Sequence, residues 1–560
     1  MSEQYDLLVR GGTLIDGTGA PRSVGDVGVV GGKIAALGDV KGSAKREIDA
    51  SGCVVAPGFI DIHTHYDAQV MWDRMLTISP WHGVTSVVVG NCGFGIAPTR
   101  EIHRELILRT LENVEGMSFA ALQAGVGDDW GFESFPEYLN AVENQGTAIN
   151  FAALLGHTPL RLFVMGEEAT EREATDAEVA QMQVLAREAL AAGAIGFATS
   201  KSPTHVGYAG RPVPSREASY EEILALASCL GEFDHGVMQA TVGPGLFFEQ
   251  FGEIAGLTNT PVSWTALLAG MAGPGSHRGF LEASEKLTGQ GLEVYPQVTC
   301  RPLNFEFQFS APFPFESLPF FKQVSQSDHE GKKRIYADEA FRAEFRNKQP
   351  GGITGNWEDS VVSECPQDPS INERNIAELA AERGVDPADL VLDLALESDL
   401  KARFRMAIFN TDEEAVAELL NHPGVILGLS DAGAHASQLC DACFSTHLLS
   451  HWTREKEVLD LEQAVSLLTS RSADVFGIRD RGRLEVGLAA DLAVFDPDTV
   501  GCSKLRRVND LPGGGDRLIA DAVGMRAVVV NGETVRFDDA DAIDPEGEMP
   551  GRVLRKGRAD

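Results

Sequence analysis

Hydrophobic and polar positions divide the chain into three zones. Residues 5–57 alternate short β-type runs with glycine turns: Asp6-Leu7-Leu8-Val9-Arg10 before Gly11-Gly12, then Val27-Gly28-Val29-Val30 before Gly31-Gly32. This pattern predicts a meander of short antiparallel strands. The same style returns in Asp491-Leu492-Ala493-Val494-Phe495 and Val528-Val529-Val530-Asn531-Gly532, so the two chain ends are expected to share one small β-sandwich, residues 1–57 with 484–560. Between them, apolar runs such as Thr85-Ser86-Val87-Val88-Val89, Ala194-Ile195-Gly196-Phe197-Ala198 and Val425-Ile426-Leu427 alternate with helical patterns at 176–192 and 219–230. Repeated βα units around a buried parallel sheet predict a (β/α)8 TIM-like barrel over residues 58–483, an α/β fold.

Residues 302–360 read as an insertion or lid on that barrel. Within them, residues 305–321 hold Phe305, Phe307, Phe309, Phe313, Phe315, Phe320 and Phe321 among three prolines. Core packing and a lid over an apolar pocket are both open readings. The lid reading places a bulky apolar group in the substrate.

The run Pro57-Gly58-Phe59-Ile60-Asp61-Ile62-His63-Thr64-His65 carries the strongest chemistry. Side chains two apart on a strand share a face, so His63 and His65 point together, as a metal-binding pair must. Active sites of such barrels sit at the C-terminal ends of the strands. The residues following the other runs there include Cys92, His157, Lys201, His205, Arg301, Asp431 and His435. Cys92 could present a thiolate to a metal, and Asp431 a carboxylate to a metal-activated water.

These motifs resemble the amidohydrolase superfamily and, within it, the N-acyl-D-amino-acid deacylase (D-aminoacylase) family. The matching stretches are PGFIDIHTH at 57–65, GVTSVVVGNCGFG at 83–95, GAIGFATS at 193–200, VYP at 294–296, SDAGAH at 430–435 and GLAADLAVFD at 487–496. The resemblance implies a β-sandwich with a metal-bearing barrel, His63 and His65 as first-strand ligands, Cys92 as a possible ligand from the second strand and Asp431 as acid/base and possible ligand. It also implies two further imidazoles from the fifth and sixth strands. Here those segments read Gly236-Val237-Met238-Gln239-Ala240-Thr241 and Pro261-Val262-Ser263-Trp264-Thr265, without histidine. One zinc ion, or another divalent metal, is therefore expected rather than two. His157 and Lys201, the latter if carbamylated, are alternative ligands.

The resemblance places Tyr295 at a substrate carboxylate, and Arg301 could supply the matching positive charge. His157, Lys201, His205 and His435 complete the expected pocket. The expected activity is hydrolysis of an amide in an N-acyl amino acid or related N-acyl compound. Alternatives are a cyclic amide, carbamate or ester hydrolase on the same scaffold, or a non-catalytic barrel that has lost its metal.

Composition narrows the partners. Of 560 residues, 47 are basic and 82 acidic, a net charge of −35 that repels phosphate backbones and anionic membrane surfaces, so nucleic-acid binding is disfavoured. A small-molecule substrate is expected, with a possible homo-oligomer. No basic-then-apolar leader and no spanning apolar run is present, which points to no membrane insertion and a cytoplasmic protein. The eight cysteines form no dense framework, and Cys440-Asp441-Ala442-Cys443 is a lone CxxC expected to be buried thiols.

Overall fold

A computed structural model describes residues 4–316, 318–347 and 356–559. Its centre is a parallel sheet of eight strands: Phe59–Asp61, Val84–Val89, Asn150–Gly156, Gly196–Ser200, Val237–Thr241, Val262–Thr265, Val294–Val298 and Ile426–Leu427. They neighbour one another in chain order. Every residue of the second and third strands is buried, because a barrel strand has packed side chains on one face and helices on the other. The helical patterns appear as Asp176–Ala192 and Tyr220–Ser228, the first opened by a capping box between Thr175 and Glu178.

The first and last strands meet at their C-terminal ends and close the barrel. His65 N donates to Ala432 O at 2.7 Å and Asp431 N to His63 O at 3.2 Å. The opposite mouth is stoppered by the chain terminus, where Leu554 N donates to Phe151 O at 2.8 Å. Leu554 is fully buried beside Ile60, Ile62, Val88 and Leu154. The terminal residues thus leave the end sheet and join the barrel floor.

Both chain ends build one nine-stranded sheet, from strands between Gln4 and Pro57 and between Leu492 and Asp541. Val54–Pro57 pairs antiparallel with Leu492–Phe495 and then runs into the first barrel strand. Only glycine fits at the crossing: a Cβ on Gly58 would stand 2.1 Å from Thr85 Oγ1.

The insertion is longer than the aromatic run suggested. Leu303–Gln308, Arg403–Phe409, Ser360–Glu364 and Arg374–Asn375 form a separate antiparallel sheet, so it reaches residue 409 rather than 360. Phe307, Phe309, Phe315, Phe320 and Phe321 are buried in that unit's own core with Tyr336, Phe341, Phe345 and Phe404. The lid reading is corrected for these five rings: each is enclosed by other aromatics, so none of the five walls a substrate pocket. Residues 317 and 348–355 and the Phe313 side chain lie outside the description. Among the described residues no helix is long and apolar enough to cross a membrane.

Candidate metal centre

The first strand delivers alternate residues to the barrel interior. Asp61, His63 and His65 all project inward, and each is almost wholly buried. Asp61 accepts from His63 N at 3.3 Å and from Ser430 Oγ at 2.5 Å, tying the first strand to the loop after the last. Burial pushes the Asp61 carboxyl up to about 7, against the lowering effect of the Ser430 bond.

Cys92 enters from the turn after the second strand. Its backbone is left-handed at φ 56°, and its N–H donates to Gln239 Oε1 at 2.7 Å. The turn requires glycine beside it, since a Cβ on Gly90 would lie 2.2 Å from Leu154 O. Asp431 arrives from the loop after the last strand, also left-handed at φ 47°.

Three donors converge, with Asp431 beside the two imidazoles. Cys92 Sγ is 3.5 Å from His63 Nε2, and Asp431 Oδ1 is 3.4 Å from His63 Nε2 and 3.7 Å from His65 Nε2. The ligand atoms of His63, His65 and Cys92 all lie within 4.8 Å of one another. Tetrahedral zinc with N, O and S ligands at its usual bond lengths separates neighbouring donors by about 3.3–3.6 Å. The three donors His63, His65 and Cys92 therefore suit one divalent ion in chemistry and lie close enough together to share it, with Asp431 beside them. Burial opposes thiolate formation, yet the two imidazoles pull Cys92 down to about 7. Burial likewise opposes the Asp431 charge, but the hydrogen bond with His65 and the field of His63 hold that carboxyl well below the usual range.

The residues behind the donors were not legible in the sequence. Gln297 Oε1 stands 2.6 Å from His63 Nδ1 and its amide donates to Ser263 Oγ at 2.8 Å. Glu115 Oε1 lies 3.2 Å from His65 Nδ1. On the fifth and sixth strands, where two imidazoles were expected and are missing, Gln239 donates to Thr265 Oγ1 at 3.3 Å and Thr265 to Thr241 Oγ1 at 3.2 Å. A neutral hydrogen-bonded network fills that side of the barrel.

Several expected pocket residues lie elsewhere. His157 is fully buried with both ring nitrogens engaged, by Thr199 Oγ1 at 2.8 Å and Glu222 Oε1 at 2.9 Å, while Arg161 holds the other Glu222 oxygen. It has no nitrogen left for substrate or metal. Lys201 Nζ donates to Arg216 O at 2.5 Å and Ala218 O at 2.7 Å, which makes it a pin for its own loop rather than a carbamylated ligand. Arg301 Nε is paired with Asp441 Oδ1 at 2.6 Å, so its charge is neutralised inside the fold.

Tyr295 points inward, but it packs against the floor cluster of Ile60, Leu154 and Leu554, two residues before Gln297 on the same strand. It therefore sits a layer too low to meet a substrate at the upper mouth. His435 remains with the site: its ring stands edge-on to Phe305 at 5.5 Å, and it is among the groups that act on the Asp431 carboxyl. His205 lies 5.0 Å from the Phe94 ring, which in turn is 6.2 Å from His65. Cys440 and Cys443 are buried free thiols.

A parallel barrel bearing a buried N,N,S donor set with a carboxylate beside it, at the C-terminal ends of its strands, is the architecture of a metal-dependent hydrolase. The chain belongs to the Amidohydrolase family, whose profile matches residues 46–303 and 338–536, and so to the hydrolases of carbon–nitrogen bonds other than peptide bonds. D-aminoacylase of Alcaligenes xylosoxydans xylosoxydans is 31% identical over 563 residues, covering 100% of this chain and 99% of that protein. N-acyl-D-glutamate deacylase of the same organism is 31% identical over 572 residues, covering 99% and 98%. The structure of N-acyl-D-glutamate deacylase from Bordetella bronchiseptica, complexed with zinc and a phosphonate mimic of the tetrahedral intermediate, superposes with a TM-score of 0.67 at 29% identity, covering 99% of this chain and all of that one.

Proposed function

We propose that the chain hydrolyses the amide bond of an N-acyl-D-amino acid at a single divalent ion, zinc, held by His63, His65 and Cys92 with Asp431 beside them. The observation that carries this reading is the convergence of the ligand atoms of His63, His65 and Cys92 within 4.8 Å of one another, with Asp431 Oδ1 3.4 Å from His63 Nε2 and 3.7 Å from His65 Nε2. The neutral Gln239–Thr265–Thr241 network supports one ion rather than two, because it offers no imidazole for a second. The D-aminoacylase and N-acyl-D-glutamate deacylase relatives support the substrate class.

Zinc bound in such a shell lowers the pKa of a coordinated water toward about 7 and polarises the amide carbonyl. The rest is carried by the chain. Gln297 keeps the His63 ring turned so that Nε2 faces the centre. Asp431, ionised, takes the proton of the attacking water as its oxygen adds to the carbonyl carbon. It then passes that proton to the leaving nitrogen as the C–N bond breaks, giving a carboxylic acid and a free amine, between which the remaining water proton equilibrates.

Elemental analysis of protein purified without chelator, together with turnover of paired N-acyl-D- and N-acyl-L-amino acids, tests the proposal. One equivalent of metal and D-selective amine release are expected. Two equivalents at full occupancy would refute the single-ion form, and no metal with no turnover would refute the reading as a whole.

A further inference from the structure

We propose that Glu115 is a positioning residue that fixes the His65 imidazole for metal binding. This rests on the metal-site reading above and deepens it. Glu115 closes the helix Arg104–Glu115, which lies outside the barrel strands and carries none of the motifs discussed above. Its carboxylate is 5% exposed and sits at a helix C-terminus, where the helix dipole disfavours negative charge. Leu111, Met117 and Leu122 surround it in a small enclosed cavity that it shares with His65. A buried carboxylate in such a place is costly unless a partner compensates it.

The partner available is His65. Glu115 Oε1 is 3.2 Å from His65 Nδ1, an ion-pair contact, and neither of these two buried atoms has a hydrogen-bond partner among the described residues. A carboxylate at Nδ1 keeps the ring proton there and leaves the Nε2 lone pair facing the donor cluster. Helix and site are also braced together: Ser437 Oγ donates to Gly116 O at 3.1 Å, and a Cβ on Gly116 would stand 3.2 Å from His435 Cα. The two ligand histidines are thus backed differently, His63 by the neutral amide of Gln297 and His65 by a charge. In a shell that lacks the fifth- and sixth-strand imidazoles, that charge strengthens the remaining ligands.

The test compares zinc affinity, by competition with a chromophoric chelator, and the visible spectrum of the cobalt(II)-substituted protein across four forms: the unaltered protein, Glu115→Gln, Glu115→Asp and Leu111→Ala. Glu115→Gln keeps the shape and removes the charge, and should weaken zinc by about 10–100-fold and shift the cobalt bands. Glu115→Asp should recover part of the affinity. Leu111→Ala disturbs the same packing and should lower thermal stability while leaving affinity unchanged. Unaltered affinity and spectrum in Glu115→Gln would overturn the proposal, as would an equal loss of affinity in Leu111→Ala. If His65→Ala abolishes zinc binding in those cases, the metal-site reading survives the failure. An unaltered protein that binds no zinc would overturn both.

Discussion

Asp431→Asn isolates the proton-transfer step from the fold and from the imidazole ligands. Asp431 has a left-handed backbone at φ 47°, a conformation that asparagine tolerates as well as aspartate. Its backbone bonds, N to His63 O at 3.2 Å and O from Ala434 N at 2.8 Å, do not involve the side chain. The amide is nearly isosteric with the carboxylate, so strand closure should persist. What is lost is the negative oxygen 3.4 Å from His63 Nε2 and 3.7 Å from His65 Nε2. Removing a positioned general base costs about 10²–10⁴ in rate, which is about 2.7–5.4 kcal/mol in the barrier at about 1.36 kcal/mol per decade. Steady-state release of free amine from an N-acyl-D-amino acid should therefore show kcat falling by that factor. Metal content and melting temperature should stay close to those of the unaltered protein, because His63, His65 and Cys92 remain. Near-normal kcat would refute the assignment of Asp431 as the acid/base. Loss of metal in proportion to activity would show that its first duty is ligation.

His63→Ala and His65→Ala should each lower bound metal as well as activity, measured by elemental analysis, whereas a purely catalytic role would leave the ion in place. Phe309→Ala should cost about 3–5 kcal/mol in the insertion's core, with KM changing equally for N-acetyl and bulky N-acyl substrates, since the ring packs on Tyr336 and Phe404; a KM rise confined to bulky substrates would restore the lid reading. Burial opposes the charge of Glu222, but His157 and Arg161 prevail and draw it down to about 2. Its contribution to stability is therefore complete above the ordinary carboxylate value and lost as pH falls from there toward 2. Glu222→Gln should lower the melting temperature at neutral pH and flatten the acid limb of the stability profile, and an unchanged acid limb would contradict this.

The barrel could be read from the chain because its signals are local. A strand repeats every two residues and a helix every 3.6, so apolar runs alternating with helical stripes announce βα units without any knowledge of their neighbours. The same short-range geometry turns His63 and His65 to one face. Depth is a different matter. Tyr295 and Gln297 share a parity and both point inward, but only the register of the strands, with Val262 opposite Val294, places one on the floor and the other behind His63. Partnership is likewise invisible along the chain: Arg301 meets Asp441 across 140 positions, His157 meets Glu222 across 65, and Glu115 reaches His65 from the end of a helix with an ordinary amphipathic stripe. The aromatic run showed the same limit, because phenylalanine looks alike in a lid and in a core until the sheet of 303–409 encloses it. Periodicity set which residues face inward. Tertiary packing alone decided what each of them faces, since charge pairing and burial act through space between segments that the sequence keeps apart.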